Sequence, residues 1–221
     1  MPVSEILTEA SFACGLSVLA SRDRDLSKIL DTLGKPPFWV REPGFATLIH
    51  IILEQQVSLA SASSVFTRLQ AIISPVTPEK FLQLDDSQLK RIGFSRQKTV
   101  YGRSLAQAII TGQLDLAALG TMDDEHVRAT LKKLKGIGDW TVDIYLLMAL
   151  RRPDSYPKGD LGLILAVQKV KNLENRPKPE ELVEIAEIWR PWRAVATRLL
   201  WHYYLNGRNF ATKQSNSPSL P

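Results

Sequence analysis

Cysteine is almost missing from this chain, with Cys14 the only one in 221 residues. That excludes a disulfide framework and any four-cysteine zinc or iron–sulfur site within one chain. Histidine is scarce too. His50, His126 and His202 stand far apart in sequence, so a histidine-rich metal site is not expected. No run of about 18 apolar residues occurs, and nothing reads as a transmembrane helix. The stretch Met1–Asp25 carries Glu5 and Glu9 and lacks a basic start, so it does not read as an export signal. Alternating strands joined by Asn-Gly or Asp-Gly turns are also wanting. One cysteine and no export signal make a reducing, intracellular compartment the expectation: cytoplasm and nucleoid in a bacterium, nucleus in a eukaryote.

What is present is ordinary for a globular protein. Hydrophobic residues make up 44% and charged residues 23%, which excludes a disordered, collagen-like or fibrous chain. The length suffices for one or two domains with a real core. The formal net charge is +5 and the pI about 9.3. A basic balance fits a polyanionic partner without establishing one.

The apolar residues recur with the helical period. Phe45, Leu48, Ile49 and Ile52 fall on one helical face. Val65, Leu69, Ile72 and Ile73 repeat the pattern, as do Val127, Leu131 and Leu134, and then Val142, Leu146, Ala149 and Leu150. Thr77-Pro78 and Ser95 read as helix starts, and Gly112 as a helix stop. Loops are expected at Gly34–Pro37, Ser74-Pro75, Arg152–Gly159 and Arg176–Pro179. This spacing predicts an all-α chain of about ten short helices with little or no sheet. The polar segment Ala211–Pro221 reads as a disordered tail.

Chemistry concentrates in two places. Leu131-Lys132-Lys133-Leu134-Lys135-Gly136-Ile137-Gly138-Asp139-Trp140-Thr141 joins two helical patterns by a few residues. Two glycines let a phosphate approach backbone N–H groups, a helix N-terminus favours its charge, and Ile137 plugs back into the core. Nearby lysines add sequence-independent attraction. This suits gripping a nucleic-acid backbone without reading bases. The same letters also fit an αα-hairpin whose glycines merely close a tight turn. Further on, Asp160 follows Tyr156-Pro157-Lys158-Gly159 and opens an apolar helical run, where an aspartate serves as an N-cap.

Lys135–Thr141 followed by Pro157-Lys158-Gly159-Asp160 resembles the helix-hairpin-helix, Gly/Pro-rich loop, Asp superfamily of DNA glycosylases. Within it the chain is most similar to the DNA-3-methyladenine glycosylase II branch. Ile52-Leu53-Glu54-Gln55-Gln56-Val57-Ser58, Ile92–Lys98 and Trp189–Arg193 with Leu200-Trp201-His202 agree, in family order from about residue 40 to 205. The resemblance implies one glycosylase unit of two helical lobes with the active-site cleft between them. Residues 1–34 with 136–210 would form the terminal lobe and 35–135 the central one. Some members carry an additional N-terminal sheet domain, which is not expected here.

The resemblance also assigns roles. Asp160 is the expected catalytic carboxylate, stabilising positive charge on the deoxyribose as the N-glycosidic bond breaks. The substrate base must leave the stack to be reached. Trp140 and Trp201, with Tyr145 beside them, are the expected pocket for it. Electron-rich rings attract cationic N-alkylated purines by roughly 0.5–2 kcal/mol per contact. Trp189 and Trp192 read as core. Gln56 matches the residue that fills the gap left by the flipped base. Gln55 is polar too, and the pattern does not choose between them. Lys135, Gly136, Gly138 and Thr141 complete the expected DNA-binding set. Relatives that also cut the strand carry a lysine where Trp140 stands, so a monofunctional hydrolase without lyase activity is expected. No cofactor is expected beyond a structural Na⁺ or K⁺ on the carbonyls of Lys132, Leu134 and Ile137. The expected partner is damaged double-stranded DNA, with no membrane, and the expected state a monomer.

Two other readings compete. One is a non-catalytic hairpin protein that binds DNA. The other is the same fold excising hypoxanthine, etheno-adenine or uracil. A neutral base needs hydrogen-bond donors to leave, and Gln55, Ser58 and His202 are candidates. Asp139 in the hairpin should weaken DNA affinity slightly.

Overall fold

Short polar residues mark where the helices begin. In the computed structural model, which describes residues 6–214 and side chains for 6–207, Thr8 starts α1 (Glu9–Arg22) with a capping box to Ser11. Asp23 ends α1 and its carboxylate accepts the first N–H groups of α2 (Arg24–Leu33). Helix α3 (Phe45–Glu54) is followed by α4 (Leu59–Ile72), which Ser58 caps. Thr77, with Pro78 in the first turn, starts α5 (Pro78–Gln83). Asp85 makes a capping box on α6 (Asp86–Ile92), and Ser95 caps α7 (Arg96–Ile110). Asp123 caps α8 (Asp124–Leu131), and Gly138 opens α9 (Asp139–Met148) with no side-chain cap. Then come α10 (Leu161–Val170), α11 (Pro179–Ala186) and α12 (Arg193–Gln214). A side-chain acceptor at an N-cap contributes roughly 1 kcal/mol by satisfying an otherwise orphaned N–H.

Among the described residues there are twelve α-helices, two 3-10 turns and no strand, so the fold is all-α. No helix among them is long and apolar enough to cross a membrane. Helix α12 runs through Gln214, so the expected tail cannot begin at Ala211; residues 215–221 lie outside the described residues.

The chain divides into two units. The central unit spans Val40–Arg151. Its axis is α3, where Phe45, Leu48, Ile49, Ile51, Ile52 and Leu53 are all buried. Helices α4, α7 and α9 pack on α3. Each such residue contributes roughly 1.5–3 kcal/mol by leaving water. On α4 the buried stripe is Ala62, Val65 and Leu69, continued by Ile73 at the C-cap, while Ile72 points outward at 47% exposure.

The other unit joins Ile6–Trp39 to the chain from Arg152 onward. Its core gathers Phe12, Leu16, Leu26, Leu163, Val167, Trp189 and Leu199. Trp189 is fully buried, as expected, and donates its indole N–H to Asp23 at 2.7 Å. The same carboxylate takes Lys171 Nζ at 2.7 and 2.8 Å.

The boundary expected after residue 135 falls instead after Arg151. The hairpin and α9 therefore belong to the central unit. The cause is apolar packing: α9 buries Val142, Ile144, Leu146 and Leu147, and packs on α3 and α8.

Candidate functional site

In the unit built from both chain ends, Asp160 stands at the N-terminus of α10. Its Oδ1 accepts the backbone N–H of Leu163 at 2.8 Å, the bond of an N-cap. The same oxygen accepts Trp201 Nε1 at 2.9 Å. Trp201, on α12, is half-buried. The Pro/Gly loop turns just before: the Asp160 N–H donates to the Pro157 carbonyl at 2.8 Å. Lys158 and Gly159 are exposed. Gly162 sits in the first turn, where a Cβ would come within 3.2 Å of Asp160 Oδ1. The loop, the cap and the indole thus give the carboxylate a fixed orientation. His202, next to Trp201, is engaged elsewhere, with Nε2 3.2 Å from the Leu33 carbonyl and Nδ1 3.2 Å from Asn206.

In the central unit the hairpin is built around one glycine. Gly136 has φ +85°, which L-residues rarely adopt, whereas Gly138 has an ordinary φ of −103°. A Cβ on Gly136 would lie 2.1–2.4 Å from the Tyr101 ring, so only hydrogen fits there. Ile137 is 5% exposed and plugs the core, as expected. Gly138 leaves the first N–H groups of α9 without a side-chain cap. Such a helix start is suited to an anion. Lys133 and Lys135 are exposed. Asp139 is paired with Lys132 at 2.6 Å, which offsets its charge locally. Trp140 is half-buried in the first turn of α9.

The end of α3 reaches this hairpin. Gln55 Nε2 donates to the Gly136 carbonyl and to Thr141 Oγ1, both at 2.9 Å. Gln56 is exposed and held at φ +58°. For a residue with a Cβ that conformation costs on the order of 1–2 kcal/mol. Val57 and Leu59 beside it are 46% and 58% exposed.

Three expectations are corrected. Thr141 is 2% exposed and occupied by Gln55, so it is an internal strut rather than a surface contact. Gln55 is likewise engaged within the unit. Tyr145 is fully buried, and its hydroxyl accepts the Gly44 N–H at 3.2 Å. Burial pushes that hydroxyl up to about 12, against the pull of the Gly44 bond. It offers no ring face to a ligand. Tyr101 went unnoticed in the sequence, because only the tertiary fold sets its ring on Gly136. His50 lies on α3, stacked on Phe66 at 4.3 Å, and His126 is exposed beside Asp123. No group of three or more His, Cys, Asp or Glu that could hold a metal occurs among the described residues.

The model of the HhH-GPD superfamily of base excision DNA repair proteins matches residues 49–191. This chain belongs to that superfamily. YfjP of Bacillus subtilis is 28% identical over 184 residues, covering 80% of this chain and 64% of its own length. The DNA-3-methyladenine glycosylase of the same organism is 29% identical over 169 residues, covering 71% and 56%. The chain thus spans under two thirds of either relative. The solved structure of the Schizosaccharomyces pombe 3-methyladenine DNA glycosylase Mag1 in complex with abasic DNA matches with a TM-score of 0.79. The match has 27% identity and covers 85% of this chain and 94% of that one.

Proposed function

We propose that this protein is a monofunctional DNA glycosylase that excises N-alkylated purines of the 3-methyladenine and 7-methylguanine type from duplex DNA. The observation that carries the reading is Asp160, held by the α10 N-terminus and by the Trp201 indole on one oxygen. Relatives named as 3-methyladenine glycosylases support the substrate class.

In this reading the hairpin takes a backbone phosphate on the N–H groups at the start of α9, with Lys133 and Lys135 adding charge. Gln56, presented at an exposed turn, fills the gap when the damaged nucleotide leaves the stack. Trp201, whose indole N–H holds Asp160, supplies an aromatic face that favours a cationic base over a neutral one. The alkylated purine already carries positive charge, so it departs as a neutral base and little acid catalysis is required. Its bonding electrons leave with it, and positive charge develops at the anomeric carbon. The Asp160 carboxylate stabilises that charge, and water adds to the carbon and loses a proton. With Trp140 in place of a nucleophilic lysine, no Schiff base forms and the strand stays intact. A monovalent cation at the hairpin fits oxygen ligands. The Leu134 carbonyl already accepts the Ile137 N–H at 3.2 Å, and its second lone pair would serve the ion together with the Lys132 and Ile137 carbonyls. The protein acts as a monomer on intracellular DNA.

The test is base release from methylated duplex DNA by wild type and Asp160→Asn, with hypoxanthine, etheno-adenine and uracil duplexes in parallel. Release of methylpurines by wild type, loss of it in the variant and retained DNA affinity are expected. Near-normal release by Asp160→Asn would overturn the role of the carboxylate. Release of a neutral base alone would move the substrate class. Tight binding without release of any base would leave a non-catalytic DNA-binding protein.

A further inference from the structure

Helix α3 stops at Glu54, and the turn beyond it keeps only long backbone bonds, from Gln55 N–H to the Ile52 carbonyl at 3.4 Å and from Val57 N–H to the Glu54 carbonyl at 3.5 Å. Shorter bonds from side chains hold it as well. Lys98 Nζ donates to the Leu53 carbonyl at 2.7 Å, and the Arg41 guanidinium grips Glu54 at 3.0 and 2.5 Å. These bonds fix the last turn of α3. Beyond it, Gln55 Nε2 uses both its protons in one direction, on the Gly136 carbonyl and on Thr141 Oγ1. One acceptor lies in the hairpin and the other in the first turn of α9. The very next residue is Gln56, exposed and at positive φ.

We infer that Gln55 is a positioning residue: it yokes the Gln56 turn to the phosphate-gripping hairpin, so that gap filling and backbone grip are set in one register. This rests on the DNA glycosylase reading above and deepens it. The chemistry asks for glutamine. Two donors on one nitrogen meet a carbonyl and a hydroxyl simultaneously. Glutamate at the same length would face the Gly136 carbonyl with an oxygen, and methionine would supply no proton at all. The yoke also explains how the strained Gln56 backbone persists, because strain is retained only where the surroundings over-determine it.

The experiment is a double-mutant cycle on the full chain with Gln55→Met, Gln56→Ala and both together. Three quantities are read: single-turnover base release from duplex DNA carrying 7-methylguanine, affinity for a duplex containing an abasic site, and affinity for an undamaged duplex. If Gln55 acts through Gln56, each single change slows release about tenfold and the pair is only about twofold slower than either. Affinity for undamaged duplex moves less than about threefold. A merely structural role predicts that the two effects multiply, and that result overturns the yoke. If wild type releases no base but the two changes still couple in abasic-site affinity, the glycosylase reading fails and the yoke stands. No release and no coupling overturns both. Should Gln55→Met not fold, Thr141→Val removes one acceptor only, and coupling of the same sign at roughly a third of the size is expected.

Discussion

Replacing Gly136 by alanine tests the hairpin most directly. The change adds one methyl group at a residue with φ +85°. Alanine at positive φ costs about 1–2 kcal/mol. The new Cβ would stand 2.1 Å from Tyr101 Cγ and within 2.4 Å of both Cδ atoms, far inside contact distance. The ring must move, and overpacking of this kind costs about 1–3 kcal/mol. The combined loss is about 2–5 kcal/mol, read as a lower urea midpoint by circular dichroism. The two causes can be separated. In a Tyr101→Ala background the ring is gone, so the alanine should cost only the backbone contribution of about 1–2 kcal/mol. Duplex DNA affinity should fall with Gly136→Ala alone, because moving the ring moves the Gly136 carbonyl that Gln55 holds. A loss under about 0.5 kcal/mol, or an equal loss in both backgrounds, would refute the argument that Tyr101 makes this glycine obligatory.

Two further outcomes follow from single contacts. Trp201→Phe keeps a ring but removes the indole donor to Asp160 Oδ1; a hydrogen bond to a charged group is worth about 1.5–3 kcal/mol, so the melting temperature should fall by roughly 3–10 °C, and base release should slow by at least tenfold in single-turnover assays as the carboxylate loses its fixed orientation. Burial alone would raise the Asp23 carboxyl, but the Lys171 and Trp189 hydrogen bonds outweigh it and hold the group below its ordinary 3.8. A depressed carboxyl contributes stability above its unfolded value and loses it as pH falls through the folded one. Asp23→Ala should therefore cost about 2–4 kcal/mol at neutral pH, shrinking as acid titrations pass below about pH 4; a cost independent of pH would contradict the assignment.

The helical class and many helix starts were legible because they rest on local rules. Thr77-Pro78 and Ser95 begin helices where cap chemistry says they should, and Gly112, at φ +73°, lies just past α7. Ile137 as a plug and Asp160 as a cap were local as well. What escaped the sequence depends on partners distant along the chain. The two hairpin glycines look equivalent in the letters, yet only Gly136 needs positive φ, and its partner ring belongs to α7. Gln55 and Gln56 are adjacent and chemically identical. Only the turn after α3 sends one inward to the hairpin and the other outward. Tyr145 falls on the same helix as Trp140 but faces Gly44. The boundary moved to Arg151 because α9 has apolar residues on most of its faces, which helical periodicity cannot assign to one neighbour.

The buried Asp23 also bears on how the chain is made. Its partners Lys171 and Trp189 lie 148 and 166 residues downstream. During synthesis α1 and α2 leave the ribosome long before the groups that neutralise this carboxylate exist. The central unit, drawn from the one continuous stretch Val40–Arg151, can close while they wait. The terminal unit then closes around distant pairings, the slow kind. A chain cut short just after residue 160 would carry the whole stretch of the hairpin's unit and, without Trp201, an unfinished carboxylate site. On the proposed glycosylase reading, such a fragment binds duplex DNA but releases no base from it.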